Sequence, residues 1–402
     1  MANLKLEELD LMFESYETDT LRCGIGLQLW LPNDWNVVLE SIKKVSELQV
    51  TEKEIERKGK IVTVKYKGYV SSYKQLYDTH KSTLYSFYYN IDTGYLTVIL
   101  PNKSIVGKSE NMIKRDIKQI MSKHFKIPDK YLETVDNFIV LTRIDYKRDY
   151  YYRSLQEFSL IRQIINIAPN IIMRRYYHKK VEKDDVQEYR VTYKSKTNCT
   201  AEFVLYNKDM EQLNKYHLKK IDDQQLDSYR NVFRSEVRLF NNKLNTEKNK
   251  AKGKAKTITN YKRLSSAVEY FNKYSIQAFF NRPFYRIDVA KDEVKNSNCF
   301  KPNMKYKLSH LLELINENGY TKAKEIYNPK LVLDGQEIKV IDDGKPKNDT
   351  NFKRHISKLL ALGVNPLTFN TTWLGDNETT YTEIPNFTFG SYQERDGYLI
   401  EE

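Results

Sequence analysis

Three short segments set acidic and basic residues into runs that otherwise read as β-strands: LTRIDYKRD at 141–149, EFVLYNKDME at 202–211 and VFRSEVRL at 232–239. Successive side chains of a strand point to opposite faces, so residues two apart share one. Arg143 and Asp145 therefore lie together, as do Glu202, Val204, Tyr206 and Lys208, and then Arg234, Glu236 and Arg238. Burying a charge within a strand is unfavourable unless it is paired or holds a metal. The chain must build a sheet whose charged face is open to solvent, laced by Arg/Asp and Arg/Glu pairs, or arranged as a site. Spacing alone leaves these open.

The surrounding sequence predicts the rest of that sheet. Residues 32–49 begin with Pro, Asn and Asp and continue at helical spacing, whereas 61–70 (IVTVKYKGYV) alternate as a strand does. Two β-rich runs flank Asp92-Thr93-Gly94 within 84–100, which is a hairpin signal. A basic amphipathic helix is expected over 111–125, a strand over 137–146, and a helix over 154–168 that Pro169 ends. Strands at 188–194 and 201–208 are joined by the polar turn SKTNCT, and a helix at 209–221 and a strand at 231–240 follow. This order predicts an α+β fold with a mainly antiparallel sheet and flanking helices.

After Leu244 the composition changes. Residues 247–256 (EKNKAKGKAK) have no apolar face and read as a basic, flexible connector. Helices are expected at 262–280, 304–318 and 352–362, the last closed by Gly363, with a strand (FYRIDVA) at 284–290. The expected organisation is a catalytic region over 1–245, a linker over 246–258 and a C-terminal helical region over 259–402, an accessory or DNA-binding part.

Charge narrows the partners. Sixty-six Lys and Arg against 53 Asp and Glu give a formal charge of +13, which attracts polyanions, nucleic acid foremost. Three widely spaced cysteines, Cys23, Cys199 and Cys299, exclude a disulfide framework or a cysteine zinc site as the organising feature. No apolar run approaches the roughly 18 residues that span a bilayer, and the start MANLKLEELDLMF lacks a signal-type apolar core. A soluble, cytoplasmic protein without membrane contact is expected. The 31 tyrosines assign no function by number, because an AT-rich coding sequence raises Tyr, Asn, Lys and Ile together. Walker, G-x-S-x-G and H-E-x-x-H signatures are absent, and the six histidines are scattered without a His-hydrophobe-His pair.

Taken in order, Arg-Ile-Asp at 143–145, the segment YRVTYKSKTNCTAEFVLYNKDMEQ at 189–212 and FRSEVRLFNNKL at 233–244 resemble the replication initiators of filamentous phages, the gene II protein family. They are also similar to rolling-circle plasmid initiators of the Rep_trans type. The resemblance covers residues 137–245. It implies a metal-dependent, site-specific single-strand endonuclease and strand transferase that nicks one DNA strand at an origin through a phosphotyrosine link and later rejoins it. A conjugative or mobilisation relaxase would use the same chemistry, and a non-enzymatic nucleic-acid-binding protein is the alternative of another class.

The resemblance implies Tyr206 as the nucleophile, at the end of a strand just before a lysine. A phenol with a pKa near 10 needs help to attack at neutral pH, which Lys208 is placed to give if it is not an ordinary solvated lysine. Tyr193 is the competing nucleophile, at the other end of the same hairpin. Asp145 and Glu236 are the implied ligands of Mg²⁺ or Mn²⁺, since hard cations take oxygen. Arg143 would orient Asp145, and Arg234 and Arg238 would orient carboxylates or clamp the DNA backbone. A second Arg-Ile-Asp, at 286–288, offers either a coincidental strand or a third acidic ligand, and the coincidental strand is the expectation. The expected partners are an origin hairpin or single strand of DNA, with a host helicase and a homodimer as further candidates. Paired histidines, the metal ligands of many nickases, are missing, so the carboxylate site follows from the narrower family alone.

Overall fold

The computed structural model describes residues 18–45, 47–57, 60–71, 86–90, 95–152, 154–169, 176–183, 186–195, 198–217, 223–227, 230–249, 255–280, 282–334, 337–342, 349–370 and 382–384. In chain order the strands of the first two thirds are β1 (Thr18–Gly26), β2 (Glu47–Arg57), β3 (Lys60–Ser71), β4 (Ser86–Asn90), β5 (Tyr95–Pro101), β6 (Val140–Tyr151), β7 (Tyr176–Lys183), β8 (Val186–Ser195), β9 (Asn198–Asn207) and β10 (Val232–Phe240). Among them lie helices α1 (Trp35–Val45), α2 (Glu110–Phe125), α3 (Leu155–Ile167) and α4 (Lys208–His217). Then come α5 (Asn241–Lys248), α6 (Ile258–Lys262), α7 (Leu264–Phe279), strand β11 (Phe284–Tyr285), α8 (Ile287–Asn296), α9 (Pro302–Asn318), α10 (Tyr320–Ile326), the hairpin β12 (Pro329–Asp334) and β13 (Glu337–Asp342), and α11 (Asp349–Ala361). The fold is α+β.

Local chemistry sets the helix ends. Ser109 accepts a hydrogen bond from the Met112 amide at the start of α2, and Ser154 accepts one from Glu157 at the start of α3. Each satisfies an amide that the first turn would otherwise leave without a partner. At the far end of α2, Lys126 takes the left-handed conformation at φ 56° and closes the helix. Among the described residues no helix is long and apolar enough to cross a membrane.

The chain divides into two compact units, each discontinuous in sequence. The first comprises residues 1–147 and 238–268. Its strands run in the order β2-β3-β4-β5-β1-β6, each described pair antiparallel. Leu21 faces Leu100, Cys23 faces Val98 and Ile25 faces Leu96, all six fully buried, so one face of β1 and β5 is continuous apolar core. The segment after the basic connector is part of this unit. Thr259 donates to Glu110 through both its amide and its hydroxyl, and the buried Lys262 ammonium donates to the carbonyls of Ile105 and Lys108.

The second unit comprises residues 148–237 and 269–402, with strand order β10-β9-β8-β7. One side of the β8–β9 hairpin carries an aromatic cluster. Phe203 lies 6.4 Å from Tyr189, 6.3 Å from Phe271 and 5.8 Å from Phe279 between ring centroids. α9 buries Leu308, Leu311, Leu312, Leu314 and Ile315.

A buried histidine makes this unit's stability depend on pH. His355 Nδ1 lies 2.7 Å from the Tyr327 hydroxyl, which itself donates to the Lys307 carbonyl, and Nε2 has no hydrogen-bond partner. Burial, then the nearby Arg354, Lys307 and Lys358 charges, lowers its pKa from 6.5 to about 4. The unfolded chain therefore takes up this proton before the folded one does. The contribution is complete above pH 6.5 and lost as pH falls from there toward 4. The melting temperature is expected to drop more steeply over that window in the wild type than in a His355→Phe variant, as calorimetry at several pH values would show; parallel profiles would contradict it.

Most expected elements form, with differences that have physical causes. The helix expected over 32–49 stops at Val45, and β2 begins at Glu47. Both strands of the hairpin around Asp92-Thr93-Gly94 form and pair Asn90 with Tyr95; the turn itself lies outside the described residues. The strand expected over 284–290 ends at Tyr285, and α8 follows from Ile287. Its buried Ala290 and Val294 recur at a helical interval that the β-branched start obscures. Glu247 and Lys248, expected in the connector, close α5, and 250–254 lie outside the described residues. The C-terminal region, expected to be helical, also contains the β12–β13 hairpin. The anticipated functional division at 245 and 258 is a separate matter from these compact units.

Candidate active site

The β8–β9 register decides where the two candidate nucleophiles stand. Tyr193 pairs with Ala201 and Arg190 with Val204. Directly opposed residues share a face, so Tyr193 lies on the face of Ala201, Phe203 and Leu205, and Tyr206 on the face of Glu202, Val204 and Arg190. The tyrosines are on opposite sides of one hairpin. Tyr193 is buried in the core, its ring 4.6 Å from that of Tyr274 and its hydroxyl 3.5 Å from the Tyr274 carbonyl.

Tyr206 faces charge. Its hydroxyl donates to Glu236 Oε1 at 2.6 Å, across thirty positions of sequence. Tyr206 is 8% exposed and Glu236 3%. Burial, followed by the Glu236 and Glu211 carboxylates, pushes the phenol well above its ordinary pKa of 10, and Arg234 offsets only part of this. Lys208 Nζ lies 5.7 Å from the Tyr206 ring centroid and 2.5 Å from Glu211. Its route there differs from the parity expected for a strand. β9 ends at Asn207, whose side chain accepts from the Met210 amide, so Lys208 opens α4.

Arg234 forms a bidentate pair with Asp149, at 2.6 and 2.7 Å. Asp149 closes the LTRIDYKRD segment and carries no expected role. The signal for it was available: Arg143, Asp145, Lys147 and Asp149 recur at the strand period. Asp209, the acidic residue directly after Lys208 in the block that carries the resemblance, accepts from the Asn231 amide and the Tyr152 hydroxyl. Arg190 and Glu202 approach to 3.8 Å.

The first unit holds Asp145, also 3% exposed and bound at both oxygens by Arg143, at 2.6 and 2.5 Å. The Arg143 guanidinium lies 5.1 Å from the Phe240 ring centroid. Arg143 and Asp145 thus meet as their spacing implied. Asp288, in the second Arg-Ile-Asp, lies in the first turn of α8 and pairs with Arg286 at 2.6 Å. Among the described residues no group of three or more His, Cys, Asp or Glu is assembled as a metal site.

Fold and site together define an antiparallel-sheet protein that buries a tyrosine–glutamate pair within a network of ion pairs. No protein-family model matches the chain, and no curated protein matches it. Among solved structures it is similar to the rolling circle replication initiator protein from Geobacillus stearothermophilus, with 12% identity and a TM-score of 0.22 over 56% of this chain and 73% of that one. At that TM-score the superposition does not establish a shared fold.

Proposed function

We propose that the protein cuts one strand of DNA with Tyr206 and later rejoins it, in the manner of a rolling-circle replication initiator. The observation that supports this reading is the hydrogen bond from Tyr206 to Glu236, 2.6 Å long. A nucleophile held by a base within hydrogen-bond reach is the arrangement that activates a hydroxyl. In the forward step the phenolic proton passes to Glu236 and Tyr206 Oη bonds to phosphorus. The P–O3′ bond breaks, and the 3′ oxygen takes a proton from solvent. The tyrosyl link is itself a phosphodiester, so the reverse step reseals the strand without ATP. Lys208 and Arg234 provide positive charge beside the phosphate. Because Tyr206 and Glu236 are both buried, binding of DNA must open their surroundings to admit the phosphate, while the hydrogen bond between them persists until the proton is transferred.

A divalent cation such as Mg²⁺ or Mn²⁺ would polarise the scissile phosphate. Asp145 and Glu236 are its proposed ligands. Their oxygens suit a hard cation, and Mg²⁺ commonly takes only one or two carboxylates and completes its shell with water and phosphate. Asp145 can join such a shell only as Arg143 yields one of its oxygens. A host helicase and a second copy of the chain are the partners such an activity would use. The experiment is conversion of supercoiled plasmid carrying the cognate origin to open circles, with Mn²⁺ or Mg²⁺ supplied. Nicking that EDTA abolishes is expected; DNA binding with no nicking under those conditions would favour the binding-protein reading.

A further inference from the structure

The C-terminal part of the second unit contains a cavity of about 670 Å³ that shares no residue with the tyrosine site. Its walls follow from helical and strand periodicity. α9 turns its leucines inward and leaves Lys305, Tyr306, Ser309, His310 and Glu313 on the outer face. Lys291 and Lys295, four apart, line it from α8, and Lys339 and Ile341, two apart, line it from β13.

Its charge and shape select among ligands. Four lysines stand against one glutamate in the wall; Glu313 is ion-paired with Lys291, and Lys295 approaches the exposed Asp292 to 3.6 Å. Lys305 donates to the Lys295 carbonyl at 2.7 Å, which orients its ammonium without neutralising it. Between the cations, Tyr306 is 46% exposed and Ile341 48%. An aromatic side chain held half open among cations in a concave wall offers a base a stacking surface and its phosphates counter-charges. A duplex is read by a convex element entering its groove, whereas this volume is that of a small-ligand pocket and admits an extended strand.

We propose that this cavity binds single-stranded nucleic acid, with a base on Tyr306 and the backbone phosphates along Lys295, Lys305 and Lys339. It is a second binding site, independent of the nicking chemistry, so failure of the nicking assay leaves it standing.

The test uses the full chain with Tyr206→Phe, to prevent cleavage, and a fluorescent oligo-dT of about 12 nucleotides, read by anisotropy across a salt series. Tyr306→Ala is expected to weaken binding roughly five- to 150-fold, from about 1–3 kcal/mol per stacked base. The same change should have no effect on an abasic oligomer of equal length. Lys295→Gln with Lys305→Gln should flatten the slope of log K against log salt by about 1.4, the counterion release of two phosphate contacts to a single strand. All three side chains are at least partly exposed, and an unchanged melting temperature confirms the fold. Unchanged affinity and slope in both variants would overturn the proposal. So would an equal loss for a blunt duplex, or displacement of the oligomer by inorganic phosphate at millimolar concentration, which would mark a simple anion site.

Discussion

Tyr206→Phe is expected to abolish the covalent protein–DNA adduct. Wild-type protein with metal and an origin oligonucleotide should form a species that survives denaturing electrophoresis and maps to Tyr206 by mass spectrometry. Removing the attacking oxygen should lower its yield by on the order of a thousandfold or more. The substitution also takes the hydrogen-bond donor from the buried Glu236 carboxylate. A loss of about 1–3 kcal/mol in stability should therefore accompany it, and folding should survive. Tyr193→Phe should leave the adduct nearly unchanged, since that ring lies against Tyr274 on the other side of the hairpin. DNA mapped to Tyr193 would transfer the role and require a rearranged core. A full yield of adduct from the Tyr206→Phe protein would end the proposal for Tyr206.

The second large effect is on stability. Arg234 is 2% exposed and its guanidinium is bidentate on Asp149. Arg234→Met removes the buried partner and leaves the charge of Asp149, which is 21% exposed, so the loss should fall somewhat below the value of about 3–5 kcal/mol typical of a fully buried pair. Replacing both, Arg234→Met with Asp149→Leu, should recover much of that loss, because no carboxylate is then left unpaired. Urea unfolding of the two variants and wild type measures both quantities. A single variant within about 1 kcal/mol of wild type would show that the pair contributes as a surface ion pair does.

Much of this architecture was legible in the sequence, and the reasons are local. α2 announces itself by Ser109 and a helical period, β6 and β10 by alternation, and the β8–β9 hairpin by two apolar runs around a polar turn. Parity predicted the Arg143–Asp145 pair correctly. It could not predict that Tyr206 would meet Glu236, since which strands become neighbours depends on packing across the whole chain. β7 is not legible because YYHKKVEK carries too much charge to read as a strand, nor is β1, because TDTLRCGIG contains two glycines. The β12–β13 hairpin carries an Asp334-Gly335 turn signal, which stands beside strong helical patterns that dominate the region. The strand period places Asp149 on the face of Arg143 and Asp145, but that its partner is Arg234, 85 positions on, leaves no trace in spacing.

The opposition of Tyr193 and Tyr206 across one hairpin has a consequence for how this chain tolerates insertion and deletion. Adding or removing a single residue in β9 ahead of Phe203 would rotate every later side chain of the strand to the wrong face. Phe203 and Leu205 would be turned toward the ion pairs, and Tyr206 toward the aromatic core. The same length change in a connecting loop alters no strand parity. Length variants that keep the protein active should therefore accumulate in the loops and be absent from β9, unless residues there are gained or lost in pairs.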